Sequence, residues 1–135
     1  MKLRDWLELP HRFRWGGQSG DDCLMFCASW VAHVTGSDPV ERFRGTYSTE
    51  DEAREILAVH GGMIALVDAV ALQAGIKRTD DPQTGDIGII RAPSWLGGKL
   101  TEIGAIKFGP VWACLGLAGV VGKKAECLAA WSVPQ

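Results

Sequence analysis

The chain has 135 residues, one domain's worth of polypeptide, and 47% of them are hydrophobic. With its 17 glycines included the apolar share is about 60%, above the ~45–50% of an average domain, so a disordered chain is excluded and no second domain fits. Fourteen basic side chains face 16 acidic ones for a formal net charge of −2, so no electrostatic reason exists to expect nucleic acid as a partner.

The N-terminal stretch scatters charges among its apolar residues and has no continuous hydrophobic run, so no secretory signal is read and synthesis in the cytosol is expected. Leu3, Trp6 and Leu7 form an apolar stripe on a short helix, which makes residues 1–14 a docking segment, on this domain or on a neighbour. Cys23, Cys27, Trp30 and Val34 recur at helical spacing over 22–34, with aspartate at the entry and Gly36 past the end. A second helix is expected over 49–60, where Ser48, Thr49, Asp51 and Glu52 supply capping chemistry and Gly61 and Gly62 stop it. A third, over 63–74, is apolar on most sides and is expected to be largely buried.

Beyond Gly75 the period changes. A short extended piece at 76–79 and a turn lead to strands at 87–90, 101–108, 112–117 and 127–133, with a turn near 122–124. The long apolar run over 103–121 is broken by Lys107, Pro110 and four glycines, so no membrane span is expected. Helices first and strands after give a single α+β domain over 1–135. Trp95, in the loop opened by Pro93, Gly97 and Gly98, is the candidate interface anchor.

The stretch 13–23 carries the chemistry. Cys23 stands in the first turn of its helix, where free N–H groups and the helix dipole favour a thiolate. Gly16, Gly17 and Gly20 let backbone approach a substrate, and N–H groups there can serve an oxyanion hole. Asp21 and Asp22 act in the opposite sense, raising the thiol pKa unless one of them caps the helix. The alternative is a small buried cysteine at a helix start.

Trp15-Gly16-Gly17 followed by Asp22-Cys23 and an apolar helix resembles the nucleophile motif of the NlpC-type cell-wall peptidases, a papain-like family. Pro82 and then Thr84-Gly85-Asp86-Ile87 resemble that family's proline, glycine-aspartate and first-strand element. The resemblance spans residue 15 to about 108. It implies helices packed on a small antiparallel, barrel-like sheet, with Cys23 as nucleophile, and it is strongest to the short versions associated with phage tails. The family's catalytic histidine opens the strand after the glycine-aspartate element, and the matching segment here reads Glu102-Ile103-Gly104-Ala105-Ile106. Glu102 stands where the imidazole would be.

No histidine follows His60. His33 lies ten residues along the helix from Cys23, about 15 Å away, out of reach. His60 reads as a helix-end residue, and His11, on an irregular segment, is the weak candidate base. Glu102, with an ordinary carboxylate pKa of about 4.3, is mismatched to a thiol and is a poor acid for a leaving amine. Cys23, Cys27, Cys114 and Cys127 are read as free thiols; a four-thiolate metal site is disfavoured because no pair has the Cys-x-x-Cys form, so no metal or cofactor is expected. Two function classes remain. One is a structural component of a phage tail tip or baseplate, made in the host cytoplasm and carried in the virion, whose partners are other tail proteins. The other is a working cysteine peptidase that cuts peptidoglycan stem peptides.

Overall fold

In the computed structural model, which describes residues 1–93 and 98–135, four α-helices precede a six-stranded antiparallel sheet. The helices are α1 (Leu3–Leu7), α2 (Cys23–Thr35), α3 (Glu50–Val59) and α4 (Met63–Gln73), with a 3-10 turn at Glu41–Phe43. The strands are β1 (Lys77–Arg78), β2 (Ile87–Pro93), β3 (Leu100–Phe108), β4 (Val111–Gly116), β5 (Gly119–Lys123) and β6 (Glu126–Ser132), in the order β1-β6-β2-β3-β4-β5. The expected α+β class is observed.

The helix ends fall where their capping chemistry put them. Asp22 caps α2 by accepting from the Met25 N–H at 2.9 Å, and Gly36 ends it in the left-handed region at φ 80°. Thr49 caps α3 through the Glu52 N–H, and Glu52 reaches back to the Ser48 N–H in a reciprocal box.

The core forms because α2 lays Phe26, Cys27, Trp30 and Val31 on one face of the sheet, against Ile87, Ile89, Ile106, Leu115, Ala129 and Trp131. Leu3 and Trp6 of α1 join this cluster, with the Trp6 ring 5.0 Å from Phe26 and 5.3 Å from Trp30, so the N-terminal segment docks on its own domain. The opposite face holds a second cluster of Ile90, Ala92, Ile103, Ala105, Trp112, Cys114 and Ala130. The Trp112 indole lies across Gly88 there, where a Cβ would meet its ring at 2.7 Å.

Three expectations need correction. The sheet does not close into a barrel, because its end strands β1 and β5 are not neighbours and β1 has only two residues. The turn expected near 122–124 falls partly inside an additional strand, β5, which pairs with β4 from Gly116↔Gly119 to Trp112↔Lys123. α4 is buried along Leu66, Val67, Val70 and Ala71, whereas Leu72 is 80% exposed. The Trp95 interface expectation lies outside the described residues. Among the described residues no single helix is long and apolar enough to cross a membrane.

Candidate functional site

Cys23 is the first residue of α2, half-buried against the second core cluster, and it lines two adjoining cavities. The smaller, about 70 Å³, is apolar and lies under α3, among Leu24, Met25, Tyr47, Ile56 and Leu57. The larger, about 190 Å³, is a groove between α3 and β3 whose wall includes Phe13, Trp15, Leu57, Met63, Glu102 and Leu117. Glu50 and Arg54, an ion pair one helical turn apart on α3, stand at its rim.

The approach loop to Cys23 is folded on itself. Arg14 N–H donates to the Asp21 carbonyl, and Asp21 N–H to the Arg12 carbonyl, each at 2.9 Å. Gly16, at φ 96°, passes so close to Tyr47 that a Cβ would fall 2.0 Å from the Tyr47 carbonyl oxygen; a Cβ on Gly17 would meet Arg44 and Met25 within 3 Å. Two of these glycines therefore serve the loop's own packing. Arg44 fastens the loop by donating to the Gly17 carbonyl at 2.8 Å, to Asp21 at 3.0 Å and to Ser29 at 3.0 Å, while pairing with Asp38.

Asp22 is the joint of this region. It is buried, and besides capping α2 it accepts the Gly16 N–H at 3.3 Å and a short hydrogen bond from the Tyr47 hydroxyl. Burial pushes its carboxyl above the ordinary value, against the pull of those three donors. The Cys23 thiol is pushed up to about 12, first by burial and then by the Asp22 charge; the Gly104 and Leu24 N–H groups pull the other way without prevailing. Of the opposing influences read from the sequence, burial and the aspartate charge thus outweigh the helix dipole at Cys23. Burial also raises Cys27 well above, and Cys114 to about 11.

No histidine lies in the described wall of either cavity. His11 packs on Trp6 and Phe26, ring centroids 4.5 and 5.0 Å away, with Nε2 2.6 Å from the Trp6 carbonyl oxygen. His33 stacks on Trp30, and His60 ends α3 with Nδ1 2.9 Å from the Ile56 carbonyl oxygen. Glu102 is exposed in the groove wall. Gly104, two residues on, sits so tightly under α2 that a Cβ would approach the Cys23 carbonyl oxygen and the Leu24 Cα at 3.1 Å.

Of the residues singled out in the sequence, Trp15, Cys23 and Glu102 line this groove and Asp22 lines the smaller cavity beside it, where it accepts the Gly16 N–H. Gly85 and Asp86 line neither. The Gly85 carbonyl accepts the Trp30 indole N–H at 2.8 Å, and the buried Asp86 accepts from Gln83 N–H at 2.8 Å and Val133 N–H at 3.0 Å, tying β2 to α2 and to the end of β6. Sequence reasoning missed Tyr47 and Arg44. Their only signals were that Tyr47 is the single tyrosine and that Arg44 sits among loop residues. Among the described residues no group of three or more His, Cys, Asp or Glu side chains is arranged to hold a metal ion.

These features define an α+β domain with a helix-start cysteine in the wall of an apolar groove. The chain belongs to the DUF6950 family, a domain of unknown function whose model matches residues 2–133. No curated protein and no solved structure matches it.

Proposed function

We propose that this chain is a structural component of a phage tail tip or baseplate, built on an NlpC-type cysteine-peptidase fold that has lost its proton shuttle. The observation that carries this reading is the composition of the groove at Cys23: a carboxylate at Glu102 where the resemblance asks for an imidazole, no histidine in the described wall, and a thiol pushed up to about 12. Positioned acid–base catalysis contributes about 10²- to 10⁴-fold, and an amide is a demanding substrate without it. The assignment to a tail assembly, with other tail proteins as partners, rests on the resemblance to the short phage-tail versions of that fold.

The competing reading is an active peptidase with Cys23 as nucleophile. It is favoured by the sulfur's position in a groove wall with the Gly104 and Leu24 N–H groups turned toward it. His11 would then have to leave the Trp6 carbonyl and its place on Phe26 to act as base. Purified protein is incubated with peptidoglycan, and newly freed amino groups are measured. The expected result is no release above that of Cys23→Ala protein. Turnover that Cys23→Ala abolishes overturns the structural reading.

A further inference from the structure

β3 is paired with β2 along residues 100–106, but with β4 only at Ile106↔Ala113, Lys107↔Trp112 and Phe108↔Val111. From residue 105 back to 100, the side of β3 turned away from β2 has no strand beside it among the described residues. Strand alternation fixes which groups face that opening. Lys107 exchanges backbone hydrogen bonds with Asp86 and Gly85 on the β2 side, so Glu102 and Gly104 turn their N–H and C=O groups to the open side. Gly104 is covered there by the start of α2 and its N–H faces the Cys23 sulfur. Glu102 lines the 190 Å³ groove, and by the same alternation its N–H and C=O lie on the unpaired edge.

An unpaired strand edge is a template for another strand, and here it borders an apolar cavity formed by Phe13, Trp15, Leu57, Met63 and Leu117. The rim adds charge. Among the described residues that line the groove, Glu50 and Glu102 are carboxylates and Arg54 is a guanidinium already paired with Glu50. Arg91 stands opposite Glu102 on β2 but pairs with Glu126 at 3.3 Å, so among the described residues the carboxylate at this rim left without an ion pair is Glu102.

We propose that this groove is the docking site for an extended polypeptide strand of a partner protein. The strand pairs its backbone with β3 at residues 100–102, seats an apolar side chain in the cavity and sets a lysine or arginine beside Glu102. Residues two apart in a strand share a face, so the apolar and basic side chains are at i and i+2. This deepens the assembly reading by naming where a partner sits, and strand docking itself does not depend on the state of Cys23.

The test selects binders of the full-length chain from a display library of random linear heptapeptides, and resynthesises the best. The expected outcome is an apolar-x-basic pattern, at least tenfold slower amide exchange at Glu102 with saturating peptide, and at least tenfold weaker binding when alternate peptide amides are N-methylated. Glu102→Lys weakens binding by a similar factor and Glu102→Gln by less; because this side chain is exposed, an unchanged melting temperature shows that the fold is retained. Binders that leave the Glu102 amide unprotected or tolerate N-methylation, or a selection that yields none tighter than millimolar, overturn the proposal. Running the same peptides on Cys23→Ala protein separates the two readings: cleavage by wild type alone overturns the inert reading, and loss of binding in both overturns strand docking.

Discussion

α2 and α3 are equally well-signalled helices that ended in different physical situations. Both carry a side-chain N-cap, Asp22 and Thr49, and both stop at the residue their punctuation marks. α2 buries Met25, Phe26, Cys27, Ala28, Trp30 and Val31, whereas α3 buries none of its residues: Ala53, Ile56 and Leu57 are half-covered and line cavities, and Val59 is 83% exposed. Capping makes a helix start in the right place, but tertiary burial decides how firmly it is held. The molecule therefore divides into a rigid scaffold of α1, α2 and the sheet, and a loosely seated cover over the Cys23 groove.

The sharpest way to break that comparison is at the scaffold's centre. Trp30 is 1% exposed and its indole N–H holds the Gly85 carbonyl, so Trp30→Ala is expected to cost about 3–5 kcal/mol in denaturant titration. The next effect belongs to the joint between scaffold and cover. Tyr47→Phe removes a donor from the buried Asp22 carboxylate, and a hydrogen bond to a charged group is worth about 1.5–3 kcal/mol. Its sign with pH follows from the raised Asp22 pKa. Folding favours the protonated carboxyl, so Asp22's contribution is fully present below the ordinary carboxylate range and is lost as pH rises through its folded value. Tyr47→Phe raises that value further. The stability gap between variant and wild type should thus open as pH rises above the ordinary carboxylate range, and a gap independent of pH would remove Asp22 from the account. Gly104→Ala comes third. Its Cβ would press on the backbone of Cys23 and Leu24, which cannot move without shifting α2, for an expected loss of about 1–3 kcal/mol and a change in Cys23 surroundings readable by NMR.

The same division explains what was legible in the sequence. The spacing of Cys23, Cys27 and Trp30 and the caps at Asp22 and Thr49 are local signals, and they located α2 and α3 within a residue. Trp15, Cys23 and Glu102 come from distant parts of the chain and line one groove, whereas Gly85 and Asp86 serve the packing of β2. The state of the cysteine was not legible. A helix N-terminus and neighbouring aspartates pull the thiol in opposite directions, and the winner is burial, a property of packing between α2, α3 and β3. Tyr47 was invisible because its partner lies 25 residues away. α4 misled because an apolar pattern reports what a helix can bury, while Leu72 is left 80% exposed.

The smallest expected effect is the most discriminating for the cover. Leucine-to-alanine changes in a filled core cost about 2–5 kcal/mol because they open a void. Leu57 already borders both cavities and is only half-buried, so truncating it enlarges spaces that exist and sheds few contacts; about 1 kcal/mol or less is expected. The reverse change sharpens the contrast. Ala53→Leu on α3 points added methyls toward the same cavities and should be neutral or stabilising, whereas Ala28→Leu on α2, at 6% exposure, should overpack and cost about 1–3 kcal/mol. Amide exchange in α3 should also run faster than in α2. If Leu57→Ala instead proves as damaging as a core truncation, with α3 exchanging as slowly as α2, then the cover is part of the scaffold and the groove beneath it is fixed in shape.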